Sequence, residues 1–236
     1  MAITLKLRNL LYVIHTTRPE RLAAVLPAGV EPDVRETPEG PRAFLATVTL
    51  EAGAAFPYLL SGFRQVNYRV YVRHNAEPGV LFVRSWVSAR AAAAVLNLAI
   101  PTEYAAVETE IDDVSAPYAK YTVAARSGDH ELKLEAHADP HPQFPLFASR
   151  EEAVHFLTHR LNGFAAGAHP KSGLSVIRVL HPEMDPLPAR VSVTAADQWT
   201  ETGILTKEEA ARPLLALIQP ETQFDMNLPE RLAASS

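Results

Sequence analysis

An alternating run of apolar and polar residues over positions 66–73, followed by a second β-rich run over positions 80–87, constrains the fold of this chain most. Successive side chains of a strand point to opposite faces, so every second residue shares a face. One face carries the mostly apolar set Val66, Tyr68, Val70 and Val72, and the other carries the polar set Asn67, Arg69, Tyr71 and Arg73. The turn-forming residues between Asn75 and Gly79 then predict a β-hairpin.

The polar face of this hairpin favours a ligand pocket. Antiparallel sheets often keep one face in water, but an amide, a guanidinium and a phenol at successive positions can orient a small anionic or carbonyl ligand. Arg69 is predicted to clamp a carboxylate or polarise a carbonyl, while Asn67 and Tyr71 hydrogen-bond the ligand's oxygen atoms. Alternation alone leaves open which face points inward.

Composition narrows the class of protein and of partner. The chain has 236 residues, with 22 basic and 27 acidic residues spread evenly and a net charge of -5, which argues against nucleic acid and acidic membranes as partners. The absence of cysteine excludes disulfides and thiolate chemistry. Neither a signal-peptide pattern nor a long apolar run is present, which predicts a cytoplasmic protein. No linker divides the chain, so we expect a single domain over residues 1–236.

The element pattern predicts an α+β fold dominated by strands. Alternating runs at 43–50, 104–111, 118–126, 130–137, 174–180 and 190–195 indicate strands beside the hairpin. Short helices are expected over 18–26, with Thr17 as N-cap, and over 88–98, and capping boxes at Ser149–Glu152 and Thr206–Glu209 open two more. Consecutive hairpins with few helices favour a sheet closed into a barrel or cone, because closure removes exposed edges.

Other chemistries find little support. His155 and His159 stand four apart on a predicted helix, where two imidazoles could face one metal ion, but no third ligand follows at a fitting spacing. Asp139, between His137 and His141, equally lacks a ligand set. The chain has neither a Gly-x-Ser-x-Gly elbow nor a phosphate-binding glycine-rich loop. We therefore predict no metal and no other cofactor.

Several motifs together resemble the domain-of-unknown-function family 2071, which is grouped with acetoacetate decarboxylase-like folds. They are the hairpin over 66–72, Pro78-Gly79, the segment from Ile100-Pro101 to Tyr104-Ala105, the run Phe156 to Arg160 and the strand end Val179 to Pro182. The resemblance covers nearly the whole chain. It implies a mostly antiparallel β-barrel or cone that encloses a small-molecule cavity and carries a few peripheral helices.

The resemblance also implies that decarboxylase chemistry does not carry over. Acetoacetate decarboxylases use a Schiff-base lysine whose pKa is lowered by an adjacent cation and by desolvation, in a motif of proline followed by two lysines. The matching segment here is Pro101-Thr102-Glu103-Tyr104, and the pocket carboxylate of the decarboxylases falls on Asn67. Threonine cannot form an imine, and a neutral amide is neither acid nor base. The chain has five lysines, Lys6, Lys120, Lys133, Lys171 and Lys207. Lys120 is the hardest of them to exclude as a substitute for the Schiff-base lysine.

We therefore predict a protein that binds a small carboxylate or carbonyl compound in a barrel cavity without a Schiff-base lysine. The ligand-binding residues are Asn67, Arg69, Tyr71, Tyr104 and Arg160, and the catalytic residues of a lyase or isomerase would be Glu103 and His181, which could move a proton. A non-catalytic binding or sensor protein, and a barrel filled by its own side chains, stay open as alternatives. Arg160 could instead form a salt bridge at its helix end, and His181 could be structural. The ligand's identity and homo-oligomerisation also stay open.

Overall fold

A computed structural model describes residues 2–54, 62–99, 104–106, 108–112, 118–166 and 173–232. Its helices are α1 (Pro19–Ala23), α2 (Arg90–Ala99), α3 (Arg150–Thr158), α4 (Asp197–Glu201) and α5 (Lys207–Ala210). Its strands are β1 (Ala2–Thr17), β2 (Val30–Pro32), β3 (Val34–Arg35), β4 (Arg42–Ala54), β5 (Phe63–His74), β6 (Glu77–Val87), β7 (Tyr104–Ala106), β8 (Glu108–Asp112), β9 (Tyr121–Ser127), β10 (His130–Ala138), β11 (Asn162–Ala166), β12 (Leu174–Leu180), β13 (Leu187–Ala196), β14 (Leu215–Asn227) and β15 (Glu230–Arg231). The prediction of a strand-dominated α+β fold is confirmed.

The described strands form one mixed sheet that closes on itself. Its central order is β12-β11-β6-β5-β4-β1-β14, and β14 pairs again with β12 through Val179 with Met226 and Leu180 with Asp225. We call this closed, cone-like part the ring. From β14 the sheet also continues through β13, β10 and β9 to β8, and we call these four strands the wing. Closure leaves the ring strands without free edges, as the sequence predicted.

Both faces of β5 are covered, and each face is covered by a different layer. The set Val66, Tyr68, Val70 and Val72 packs in one apolar cluster with wing residues such as Val123 and Leu134 and with Trp199 of α4. We call this the wing-side face. Tyr71 packs in a second cluster, with Tyr12 of β1, Phe44 of β4 and Leu157 of α3. This is the helix-side face, and alternation places Asn67 and Arg69 on it.

The predicted hairpin is confirmed, with a shorter turn than expected. Asn75 and Ala76 adopt φ values of 50° and 65°, which suits a two-residue turn with positive φ at both positions. Glu77 to Gly79, expected in the turn, already pair with β5. A bulge in the β5–β6 register between Tyr68 and Arg69 also moves Phe82 to the helix-side cluster, while Trp86 stays in the wing-side cluster. Residues four apart on a regular strand share a face, so it is the bulge that separates these two rings.

The predicted helix starts hold in part. At α3 the Ser149 side chain accepts from the Glu152 amide, but the Glu152 carboxylate accepts from the Ala148 amide, so only half of the predicted capping box forms. The box at Thr206 is complete. Thr17 does not cap α1: it belongs to β1, and its hydroxyl donates to the Ile204 carbonyl at 2.8 Å.

The strand predicted over 104–111 is divided into β7 and β8, whereas the strands predicted over 130–137, 174–180 and 190–195 correspond to β10, β12 and β13. Residues Ile100 to Glu103 and Lys171 lie outside the described residues. Within the described part of the chain, each helix is too short or too polar to cross a membrane. The single-domain expectation for residues 1–236 stays a prediction.

Candidate functional site

Asn67, Arg69 and Tyr71 of β5 are largely shielded from bulk solvent, and Arg69 and Tyr71 contact the end of α3. Asn67 is 8% exposed, Tyr71 is fully buried and Arg69 is half-buried. The Tyr71 hydroxyl donates to the Leu157 carbonyl near the end of α3 at 2.8 Å. The helix end is thereby tied directly to the strand that carries the predicted ligand-binding residues.

Arg69 is the least compensated charge of this region. Its Nη2 donates to the Leu157 carbonyl only at a long 3.4 Å, and its buried Nε has no hydrogen-bond partner. The guanidinium carbon lies 5.0 Å from the Tyr12 ring centroid and 5.8 Å from that of Tyr71. No carboxylate among the described residues forms an ion pair with it. The small Ala46, which is the register partner of Arg69 on β4, leaves room for the side chain to reach across to Tyr12.

The two neighbouring arginines, in contrast, share one buried carboxylate. Asp33 accepts from Arg73 Nε at 2.9 Å and lies 2.7 Å from Arg160 Nη1. The Arg160 side chain is only 6% exposed and also donates to the Phe156 carbonyl at 2.7 Å. Burial lowers the pKa of Arg160, and the Asp33 carboxylate opposes this shift. The structure thus places Arg160 in an ion pair at the end of α3, which was the alternative reading of that residue.

Asn67 is also held by protein contacts. Its Oδ1 accepts from Gln65 Nε2 at 2.6 Å and from the Ser85 hydroxyl at 2.8 Å, which leaves the amide N–H group for a ligand. Tyr104 is the register partner of Ser85 on β7, so the three strands carry Asn67, Ser85 and Tyr104 side by side. Glu103, the predicted proton carrier next to Tyr104, lies outside the described residues.

Sequence reasoning missed Tyr12. Its ring is buried against Arg69, and its hydroxyl donates to Met184 Sδ at 3.6 Å. Burial raises the pKa of Tyr12 to about 12, although Arg69 opposes this shift, so the phenol is a neutral donor at physiological pH. The pattern that could have found it is the alternation of Leu10, Tyr12 and Ile14, which places one hydroxyl in an otherwise aliphatic row.

His181 lies near both Arg69 and His159. Its ring stacks on Phe224 at 4.7 Å and meets His159 edge-on at 5.4 Å, and its Nδ1 donates to the Pro182 carbonyl at 2.8 Å. Burial lowers the pKa of His181 below its usual value; the nearby His159 and Arg69 lower it further, and the carbonyls of Pro182 and Thr158 oppose the shift. A neutral imidazole of this kind can accept a proton near pH 7.

His155 of α3 and His159, directly after α3, stack on each other. The rings of His155 and His159 lie 4.9 Å apart at 28°. Among the residues that the structure describes, no group of three or more potential ligands is placed to hold a metal ion. Both rings instead line a cleft of about 340 Å³ between α3 and residues 183–185. Asp139, of the second histidine cluster, pairs with Arg190 at 3.2 Å.

The four described lysines are exposed: Lys6, Lys120, Lys133 and Lys207. Lys120 pairs with Glu135 at 3.8 Å on the surface. Lys6 lines a second, larger cleft of about 580 Å³ on the far part of the ring, together with Arg8, Arg64 and Glu51. Lys133 and Lys207 line two smaller clefts on other parts of the surface.

Several solved structures share the fold. The acetoacetate decarboxylase of Legionella pneumophila matches with a TM-score of 0.68 at 10% identity, over 98% of this chain and 87% of that chain. An acetoacetate decarboxylase-like enzyme of Sphingomonas wittichii matches with a TM-score of 0.67 at 13% identity, over 99% and 94%. The enduracididine biosynthesis enzyme MppR, complexed with pyruvate, matches with a TM-score of 0.62 at 12% identity, over 99% and 91%.

At these identities the similarity establishes the fold, which is acetoacetate decarboxylase-like, as the resemblance implied. No curated protein sequence matches the chain significantly. The family model of DUF2071, described as an uncharacterized conserved protein, matches residues 4–222, and the chain therefore belongs to that family.

Proposed function

We propose that the protein binds a small organic carboxylate or carbonyl compound on the helix-side face of the ring, with Arg69 as its anchor. The observation that carries the proposal is the half-buried guanidinium with no carboxylate partner among the described residues. Its neighbours Arg73 and Arg160, in contrast, both form an ion pair with Asp33. A buried cation without a partner is costly to the folded state, and a carboxylate ligand would remove that cost through a charge-assisted pair.

The other residues of the site have distinct roles in this proposal. The side-chain N–H of Asn67 donates to a ligand oxygen. Tyr104, on β7, is a further ligand-binding residue in this proposal. The Tyr71 ring forms the base of the site, and its hydroxyl donates to the Leu157 carbonyl. Arg160 positions this ring, because its guanidinium carbon lies 5.4 Å from the Tyr71 ring centroid and 4.2 Å from that of Phe156. The binding of pyruvate, a small keto acid, by one protein of this fold supports the ligand class.

If the site is catalytic, acid/base chemistry of a lyase or isomerase suits it best. A neutral His181 could take a proton from a carbon next to the ligand's carbonyl, with Arg69 stabilising the negative charge that develops on oxygen. Glu103 would be the second proton carrier. Imine chemistry is not part of the proposal, because a Schiff-base lysine needs desolvation and the described lysines are exposed.

The alternative is a non-catalytic binding or sensor protein. The observation that favours it is that polar groups of the site are already engaged by the protein, Tyr71 with the Leu157 carbonyl and His181 with that of Pro182. The substitution His181→Asn separates the two functions. Unchanged ligand affinity with no turnover to lose indicates a sensor, whereas lost turnover at unchanged affinity indicates an enzyme.

Calorimetric titration with pyruvate, acetoacetate and 2-oxobutyrate tests the binding proposal. We expect Arg69→Gln to weaken binding roughly tenfold to a hundredfold, the size of a lost charge-assisted hydrogen bond. The matched control is Arg73→Gln, which removes one positive charge from the same face of β5 but leaves Asp33 paired with Arg160. Equal losses in both variants, or no binding of any of the three acids to the unaltered protein, would contradict the proposal.

Borohydride reduction tests the absence of imine chemistry. The protein is incubated with the same keto acids and sodium borohydride, and its peptides are analysed by mass spectrometry. We expect no reduced adduct. An adduct on Lys6, the lysine that borders the larger cleft, would move the reactive site to that cleft and overturn this part of the proposal.

A further inference from the structure

The cleft between α3 and residues 183–185 lies directly behind the Arg69 site. It measures about 340 Å³, and its walls include Val154 and His155 of α3, His159 directly after α3, and Met184. His159 also packs against His181, so one wall of the cleft is shared with the proposed binding site. The Nδ1 atom of His159 is buried and has no hydrogen-bond partner.

A single side chain separates this cleft from Tyr12. Met184 is 8% exposed and lines the cleft, and its Sδ atom accepts a hydrogen bond from the Tyr12 hydroxyl at 3.6 Å. The Tyr12 ring in turn lies 5.0 Å from the Arg69 guanidinium carbon. Contacts therefore lead from the cleft through Met184 and Tyr12 to the half-buried Arg69.

The contact between Met184 and Tyr12 is easy to exchange. Thioether sulfur is a weak acceptor, and the unbranched methionine side chain changes rotamer at low cost. The backbone that follows Met184 is tied to α3, because Arg150 forms an ion pair with Asp185 and donates to the Pro186 carbonyl at 3.1 Å. The side chain of Met184 can thus move while its segment stays in place.

We propose that this cleft is the entrance to the Arg69 site, and that an entering ligand displaces Met184 from Tyr12 so that the Tyr12 hydroxyl and the Arg69 guanidinium bind the same carboxylate. The inference rests on the proposed function and deepens it. A hydroxyl and a guanidinium on one side of a carboxylate satisfy both of its oxygens. The cleft, at about 340 Å³, is large enough to admit a small carboxylic acid.

Chemical labelling of Arg69 tests the entrance without a known ligand. Phenylglyoxal, a small dicarbonyl that modifies arginine, is applied to the whole protein, and the modification rate of Arg69 is measured by peptide mass spectrometry against that of the exposed Arg178. We expect Met184→Ala to raise the Arg69 rate at least threefold. Met184→Leu, which keeps the side-chain volume, and Met226→Ala, a methionine on β14, should leave it unchanged.

An Arg69 rate that is the same in Met184→Ala and in the unaltered protein overturns the entrance. Fast labelling of Arg69 in all variants also overturns the proposed entrance, because Met184 would then not restrict access from the cleft to Arg69. The role of Tyr12 is tested by Tyr12→Phe, for which we expect roughly tenfold weaker pyruvate binding; unchanged affinity overturns it. Loss of pyruvate binding in Arg69→Gln with unaltered labelling in Met184→Ala would refute the entrance and leave the proposed function standing.

Discussion

Three arginines, Arg69, Arg73 and Arg160, have different environments in this protein. Arg69 and Arg73 lie on the same face of β5, Arg160 follows α3, and Asp33 forms ion pairs with Arg73 and Arg160. Of these three arginines, Arg69 is the one without an ion-pair partner among the described residues. The function proposed for Arg69 therefore depends on where one aspartate lies.

At the residue scale, Asp33→Asn should be strongly destabilising. The Asp33 and Arg160 side chains are 5% and 6% exposed, so the substitution leaves a buried guanidinium without its counter-charge. We expect the free energy of unfolding in urea to fall by about 3 kcal/mol. The control is Asp185→Asn, whose side chain is 85% exposed and pairs with Arg150; it should change stability by less than about 1 kcal/mol. Similar effects of both substitutions would contradict the assignment.

The half-buried His181 should make stability sensitive to acid. Its pKa lies below the ordinary value of 6.5, so below pH 6.5 the unfolded chain binds a proton that the folded chain resists. Its contribution is present above pH 6.5 and is lost as the pH falls through the lowered pKa. We expect urea unfolding between pH 7 and pH 5 to show a shallower loss of stability in His181→Asn. The exposed His137→Asn provides the control, and an unchanged slope in His181→Asn would argue against burial of the imidazole.

At the element scale, the hairpin is joined to α3 through β11. Strand β11 follows α3 and pairs in parallel with β6, with Gly163 opposite Val80. This pairing, with that of β6 and β7, makes the sheet mixed where the sequence pattern indicated mainly antiparallel pairs. It also positions the end of α3 above β5, so that the Leu157 carbonyl meets Tyr71 and Arg69.

Strands β6 and β11 approach each other closely at Gly79. A Cβ atom at Gly79 would lie 2.5 Å from the Asn162 carbonyl oxygen and 2.6 Å from Phe164 Cε2, distances that force the backbone to move. We expect Gly79→Ala to lower the free energy of unfolding by about 2 kcal/mol through overpacking. Gly53→Ala, where the nearest atom is the Lys6 carbonyl at 3.7 Å, is the matched control and should be close to neutral. Equal stability of the two variants would show that β6 and β11 are not in close contact.

At the scale of the whole molecule, β14 joins the ring and the wing. It pairs with β1 along its length, with β13 near its start and with β12 near its end. The sheet therefore branches at β14, and the wing covers the wing-side face of β4 and β5 while α2 and α3 cover the other. The His181 ring stacks on Phe224 of β14, so β14 also borders the proposed site.

The seam between β12 and β14 should be the weakest closure of the ring. It consists of the register pairs Val179 with Met226 and Leu180 with Asp225, whereas β1 is paired on both sides over most of its length. We expect amide hydrogen exchange at Leu180 and Met226 to be at least tenfold faster than at Tyr12 and Val13, because short pairings open locally. Equal protection at these positions would mean that the ring opens only on global unfolding.

The alternation over 66–73 already determined that Asn67, Arg69 and Tyr71 share one face, since side-chain direction along a strand is a local property of the backbone. Local capping rules likewise determined the start of α3 at Ser149. The sequence could not place Tyr12 and Met184 beside Arg69, because β1 and the segment after β12 reach β5 only through the register of distant strands.

The amino-acid sequence by itself thus determined the strand-dominated composition of the fold, the faces of its principal strand and the candidate side chains. Only the tertiary structure decided that both faces of that strand are buried, that Asp33 neutralises Arg160 and that Arg69 is left beside Tyr12. The physical reason is that periodicity and capping act between neighbours in the chain, while burial and charge compensation depend on residues brought together by sheet closure.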